Sequence, residues 1–285
     1  MDKQTKNRLN EIGKKIMGGA YGKGAKDTAL VYDNLSGQDI EIFLKTVNDF
    51  YIKRKKVDVE FLPIIDTFFQ TLLIIYVKAH EKDPGIAEYL VISYLDNIPG
   101  TQGTALFHKY SDFVDAGHAF KNVIKTRDQI LLWEVAKKLT LNYNEFLNGL
   151  LGILLLLIKC GLELKCSTTQ LKAPYGSKIH SFKQLIDDNN LPYDMLVKFA
   201  NSNLRNSIAH GTIWLDSEKA IVNYTNRNES YSISLVEFLT LNACVLHFPN
   251  AYLSSIATIA IFMKGTREDK YKLPTELLQF LSKIL

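Results

Sequence analysis

The sequence predicts an all-α protein with one small β-hairpin, and three observations carry that expectation. Apolar residues recur at spacings of three and four along most of the chain, as in Asp39–Tyr51 and Leu62–Val77. The seven prolines stand at 63, 84, 99, 174, 192, 249 and 274, and between them the pattern is mostly helical. The exception is Thr212-Ile213-Trp214-Leu215 and Ala220-Ile221-Val222-Asn223-Tyr224, two β-rich arms around the polar turn Asp216–Lys219.

Taken in order, the pattern predicts helices over about 5–17, 38–54, 61–81, 85–96, 104–125, 127–141 and 143–164. Further helices are expected over about 178–188, 193–210, 233–247, 250–263 and 274–284. The helix at 143–164 contains the most apolar run, Phe146–Ile158. At about 13 residues, with Asn148 inside, that run is shorter than a membrane-spanning helix needs and reads as a core helix. The Gly- and polar-rich stretch after Gly100 suggests a boundary near residue 125. It would separate a helical N-terminal region, 1–125, serving sensing, regulation or assembly, from a C-terminal helical domain, 126–285, with extra helices at its end.

Composition excludes several classes. The 285 residues are 47% hydrophobic and 22% charged, which is globular rather than disordered or fibrous. Cys160, Cys166 and Cys244 are too few for a disulfide scaffold, lack zinc-finger spacing, and read as reduced thiols. Met1–Lys15 has no apolar core of the signal-peptide kind, so a cytoplasmic protein without a membrane partner is expected. Net charge is +4, which permits an anionic partner without demanding one. Among the 34 basic residues only six are Arg, so the position of an Arg is informative.

Two apparent motifs dissolve on inspection. Gly18-Gly19-Ala20-Tyr21-Gly22-Lys23-Gly24 lacks the glycine spacing and the Ser or Thr of a phosphate loop, and reads as a flexible linker. Lys53-Arg54-Lys55-Lys56 sits where a helix should end, a position that cations favour.

One segment stands apart. In Leu204-Arg205-Asn206-Ser207-Ile208-Ala209-His210-Gly211, Asn206 and His210 are four apart and share a helix face. Arg205 lies about 140° around from His210, an arc a long Arg can cross, so the three groups are expected to converge beside the helix end. Gly211 is suited to terminate the helix, whose dipole favours a protonated imidazole at His210. The bland alternative is a Gly-capped helix end with Arg205 in a structural salt bridge.

This segment resembles the signature of the HEPN superfamily: Arg, a polar residue, a short spacer, then His. The surrounding order agrees over about 127–250, with a long apolar helix, a second helix opened by Gly176-Ser177-Lys178-Ile179, the motif helix, a hairpin and a closing helix. The likeness does not extend over 1–125. It implies a HEPN-like bundle and a metal-independent, cofactor-free endoribonuclease of the toxin or abortive-infection type. Its catalytic residues would be Arg205, Asn206 and His210, and its partners RNA, a second copy of the chain, and an antitoxin or defence-system protein. Such an enzyme would use 2′-OH attack to leave 2′,3′-cyclic phosphate and 5′-OH ends. Because one His cannot serve as both acid and base, facing motifs in a homodimer are implied. The competing readings are a HEPN-like module that binds RNA or a nucleotide without cutting, and a helical scaffold or antitoxin-like protein.

Overall fold

A computed structural model describes residues 59–95, 106–126 and 128–263. The helices expected at 5–17, 38–54 and 274–284, the glycine-rich segment 18–24 and the basic run 53–56 lie outside the described residues. Within them the chain is mostly helical, with a small three-stranded antiparallel sheet.

A single 3-10 turn, Val59–Phe61, leads into α1, Leu62–Lys82. Pro84 ends α1, and Asp83 caps the restart by accepting from the Gly85 and Ile86 N–H groups at 2.9 and 3.1 Å. Two short helices follow, α2 (Pro84–Ala87) and α3 (Tyr89–Leu95), then α4 (Phe107–Val123). The fold is organised around α5, Gln129–Gly161, which touches α1, α4 and several later helices. Asp128 caps it through the Leu131 N–H at 2.9 Å.

Where two helices were expected, at 127–141 and 143–164, α5 is one helix of 33 residues. The polar residues at the anticipated break do not interrupt it: Asn144 donates within the helix to the Thr140 carbonyl at 2.8 Å, and both Asn142 and Asn144 also reach outward. Asn142 donates to the Asp112 carbonyl of α4, and Asn144 accepts from residues of later elements. From Phe146 to Ile158 all but Asn148 and Gly149 are buried, the all-round burial of a central helix. A Cβ on Gly152 would lie 3.1 Å from the Leu171 Cα, so the missing side chain lets the 3-10 turn Thr168–Lys172 close on the helix. By length and composition α1 and α5 are both apolar enough to cross a membrane, although 72% of the α5 window is buried inside the bundle.

After α5 come α6 (Tyr175–Asp188), a 3-10 turn at Asp194–Leu196, and α7 (Ser202–Ala209). The motif helix therefore begins at Ser202 and not near Pro192. Asn201 sets that start, its side chain accepting the Leu204 N–H at 2.9 Å.

Three strands follow where a two-stranded hairpin was expected: β1 (Ile213–Asp216), β2 (Ile221–Asn226) and β3 (Glu229–Ser234), in the order β1-β2-β3. Ile213 pairs with Tyr224, and Tyr224 in turn with Tyr231. The third strand is polar on its exposed face and turns only Tyr231 and Ile233 toward the protein, leaving little hydrophobic signal. The chain continues through α8 (Leu235–Val245) and α9 (Phe248–Met263), which packs against α1.

The boundary expected near residue 125 falls in the turn between α4 and α5. Buried residues on both sides of that turn, from Ile65 to Ile259, belong to one continuous hydrophobic cluster.

Candidate functional site

The motif lies on an eight-residue helix fixed at both ends. At its start Asn144 of α5 receives the Asn201 N–H at 2.9 Å and the Tyr175 hydroxyl at 2.7 Å. A single buried amide thereby joins the first turns of α6 and α7 to the central helix. At its end the Gly211 N–H reaches the Ile208 carbonyl at 3.2 Å and the Thr212 N–H the Ser207 carbonyl at 2.8 Å. That is the Schellman pattern, and Gly211 supplies its left-handed residue with φ 69°. Ser207 then ties the helix to the sheet, its Oγ lying 2.8 Å from the Thr225 carbonyl.

Arg205 points toward α5. Its Nε donates to Glu145 Oε1 at 2.6 Å, Nη2 donates to the same oxygen, and Nη1 donates to Asn206 Oδ1 at 2.9 Å. Side-chain exposures of 27% for Arg205 and 28% for Glu145 put the pair at the edge of the core. The second Glu145 oxygen lies 4.0 Å from Lys109 Nζ. A guanidinium has five N–H donors, so three are engaged by protein and two are left for a ligand.

Beside Arg205 opens a cleft of about 740 Å³, bounded by Asn148 of α5, the first turns of α6 and α7, and the β2–β3 turn. Arg205 and Asn206 both line it; His210 does not. As the residue closing α7, His210 donates its backbone N–H to the Asn206 carbonyl at 2.9 Å while its imidazole stays exposed. Among the described residues that imidazole has no hydrogen-bond or ion-pair partner. The expected meeting of all three groups is thus realised for two of them. The salt bridge foreseen as the bland alternative is present, with Glu145 as the partner.

Sequence reading missed four contributors. Glu145 is the only acid between Glu134 and Glu163, a signal that was available in an otherwise apolar helix. Lys178 is buried, with 4% exposure, and donates to the Asn148 carbonyl at 2.8 Å and to Asn148 Oδ1 at 3.0 Å. Burial, with Lys109 nearby, pulls its pKa down to about 8. Asn203 links the helix to the sheet, donating to the Tyr231 hydroxyl at 2.8 Å and accepting from Asn226 Nδ2 at 2.8 Å. Arg227, in the tight turn between β2 and β3, lines the cleft on the side facing solvent. The cleft and its backing thus hold four cationic side chains, Lys109, Lys178, Arg205 and Arg227, against the carboxylates of Glu145 and Glu229.

No family model, curated protein or solved structure matches this chain.

Proposed function

We propose that the chain is a metal-independent endoribonuclease of HEPN type, a bacterial toxin or phage-defence effector active as a homodimer. The observation that carries the reading is the Arg205–Asn206 pair. A fixed helix presents it at the wall of a cleft of nucleotide size, with His210 four residues beyond Asn206 at the helix end.

Cleavage within RNA requires a base for the 2′-OH, an acid for the departing 5′-oxygen, and positive charge for the crowded phosphorus between them. In this reading the two free N–H groups of Arg205 hold the phosphate, with Glu145 fixing the guanidinium plane. The Asn206 Nδ2 group, whose Oδ1 partner is Arg205, donates to a second phosphate oxygen. His210 moves the proton as base or acid. The 2′-oxygen bonds to phosphorus, the P–O5′ bond breaks, and the leaving oxygen takes a proton, giving a 2′,3′-cyclic phosphate and a 5′-OH.

A second chain supplies the other proton carrier. The exposed placement of His210 outside its own cleft fits a histidine that works at a two-fold axis, facing its counterpart. The same placement also favours the rival reading, a module that binds RNA or a nucleotide in the cleft without cutting.

Growth separates the two. Induced expression of the wild-type chain should arrest bacterial growth, and His210→Ala or Arg205→Ala at equal soluble levels should not. Arrest undiminished by His210→Ala, or no arrest by soluble wild-type protein, would overturn the nuclease reading.

A further inference from the structure

We infer that the cleft beside Arg205 is a nucleotide subsite in which Arg227 grips a phosphate and the asparagine amides read the base. This deepens the ribonuclease reading and rests on it for the identity of the ligand as RNA. Most of the charge around the cleft is already committed. Glu145 holds Arg205 through Nε and Nη2, and the Tyr231 hydroxyl engages Glu229. Lys178 is spent on the Asn148 oxygens. Arg227 is different: among the described residues its guanidinium has no ion-pair or hydrogen-bond partner, and it lines the same cleft. Two of the six Arg in the chain therefore bound one cavity, one clamped and one free.

The turn that carries Arg227 is built to present it. Asn226 and Glu229 close the β2–β3 ladder, leaving Arg227 and Asn228 as a two-residue turn. Arg227 takes the left-handed φ of 57° that such turns require. Asn203 anchors the turn to α7 through Asn226. A guanidinium on a tethered turn, without a carboxylate partner, suits a bidentate grip on phosphate.

The start of α6, which lines the same cleft, adds to the anion preference. The helix begins at Tyr175 with no side-chain cap, leaving the first-turn N–H groups of Gly176 and Ser177 unspent at its positive end. Amides with open valences also line the cleft. Asn148 and Asn206 use their Oδ1 atoms on Lys178 and Arg205, so each offers an Nδ2 donor, while Asn226 offers an Oδ1 acceptor. Donors and acceptors fixed at the rim of a phosphate site match the edge of an unstacked base. Lys178 acts through Asn148 and is a positioning residue.

The test uses the full-length His210→Ala protein, which can bind without cutting, titrated with the four nucleoside 3′,5′-bisphosphates and with inorganic phosphate. The account predicts saturable binding, a preference among the four bases, and a loss of roughly ten- to a hundredfold in affinity with Arg227→Gln. Arg227→Lys should recover part of that loss. In the otherwise wild-type enzyme, Arg227→Gln should raise KM for RNA and leave kcat nearly unchanged. Because Arg227 is exposed, the melting temperature of the variant should match that of its parent. If wild-type protein cuts RNA in a His210-dependent way but Arg227→Gln alters neither bisphosphate binding nor KM, the subsite is wrong and the ribonuclease reading stands. If bisphosphate binding depends on Arg227 while wild-type protein cuts no RNA, the subsite stands and the ribonuclease reading falls. Binding of inorganic phosphate alone, indifferent to Arg227, overturns the subsite.

Discussion

Arg205 and His210 differ in how much of the fold depends on them, and that difference separates catalysis from stability. His210 is exposed and joins the structure through its backbone, so His210→Ala should shift stability by no more than about 0.5 kcal/mol while abolishing cleavage. Removing Arg205 leaves Glu145 half-buried with only Lys109 nearby. Arg205→Ala should therefore lose activity and also about 1–3 kcal/mol of stability. Denaturant melts run beside RNA cleavage assays would resolve both effects. Asn144 should be the most damaging single polar change. Its amide serves Tyr175, Asn201 and the Thr140 carbonyl at once, so Asn144→Ala strands the buried Tyr175 hydroxyl and the half-buried Asn201 N–H and should cost about 2–4 kcal/mol. Of these residues only Arg205, Asn206 and His210 were legible in the sequence, because their spacing is local. Glu145 stands 60 positions away and Lys109 almost a hundred, and no local pattern links residues that only the packing of α4 and α5 brings to α7.

At the scale of elements, legibility followed hydrophobic periodicity. Helices rich in apolar residues at helical spacing, such as α1, were readable from the sequence alone. The start of α7 was not, because Leu196 and Phe199 continue a helical rhythm into a segment that is in fact a 3-10 turn, and the Asn201 cap overrides the rhythm. The third strand was hidden for the opposite reason, since Glu229-Ser230-Tyr231-Ser232-Ile233-Ser234 has only two inward residues to announce it. That strand matters, because the turn before it carries Arg227 into the cleft. The sheet is held to the motif helix by Asn203 and by Ser207, whose hydroxyl lies 2.8 Å from both the Asn203 and Thr225 carbonyls. Ser207→Ala should lower stability by about 1–2 kcal/mol and raise KM for RNA, because it loosens the turn relative to Arg205. Thermal melts and steady-state kinetics check the two halves of that expectation. Gly211→Ala has open space for its methyl group but must hold φ 69°, so it should cost about 1 kcal/mol through conformation alone.

The described residues share one helical core around α5, and two properties belong to the scale of the molecule. The first is pH response. His247, whose ring lies tilted against Phe61 with centroids 4.9 Å apart, has its pKa pushed down to about 4 by burial, with Lys121 adding to the effect. A histidine that is neutral when folded takes up its proton more readily once unfolded. Its contribution is therefore present above the ordinary histidine range, near pH 6.5, and is lost progressively as pH falls toward 4. Melting temperatures should drop across that window, and His247→Phe should flatten the drop; an unchanged slope would remove His247 as the cause. The second property is assembly. If facing motifs form the active site, specific activity should fall on dilution below the dimer dissociation constant, whereas a monomer that cuts at full rate contradicts the two-chain site.

Mild average charge is no obstacle to an RNA substrate in this arrangement, because four cationic side chains gather at one cleft and its backing. The central claim is that Arg205, Asn206 and His210 cleave RNA without a metal. It is tested most directly by incubating total RNA with wild-type and His210→Ala protein in EDTA and mapping the ends produced. The account predicts new 2′,3′-cyclic phosphate and 5′-OH ends with the wild-type protein and none with His210→Ala. Intact RNA with wild-type protein, ends bearing 3′-OH and 5′-phosphate, or equal cleavage by the two proteins would contradict it.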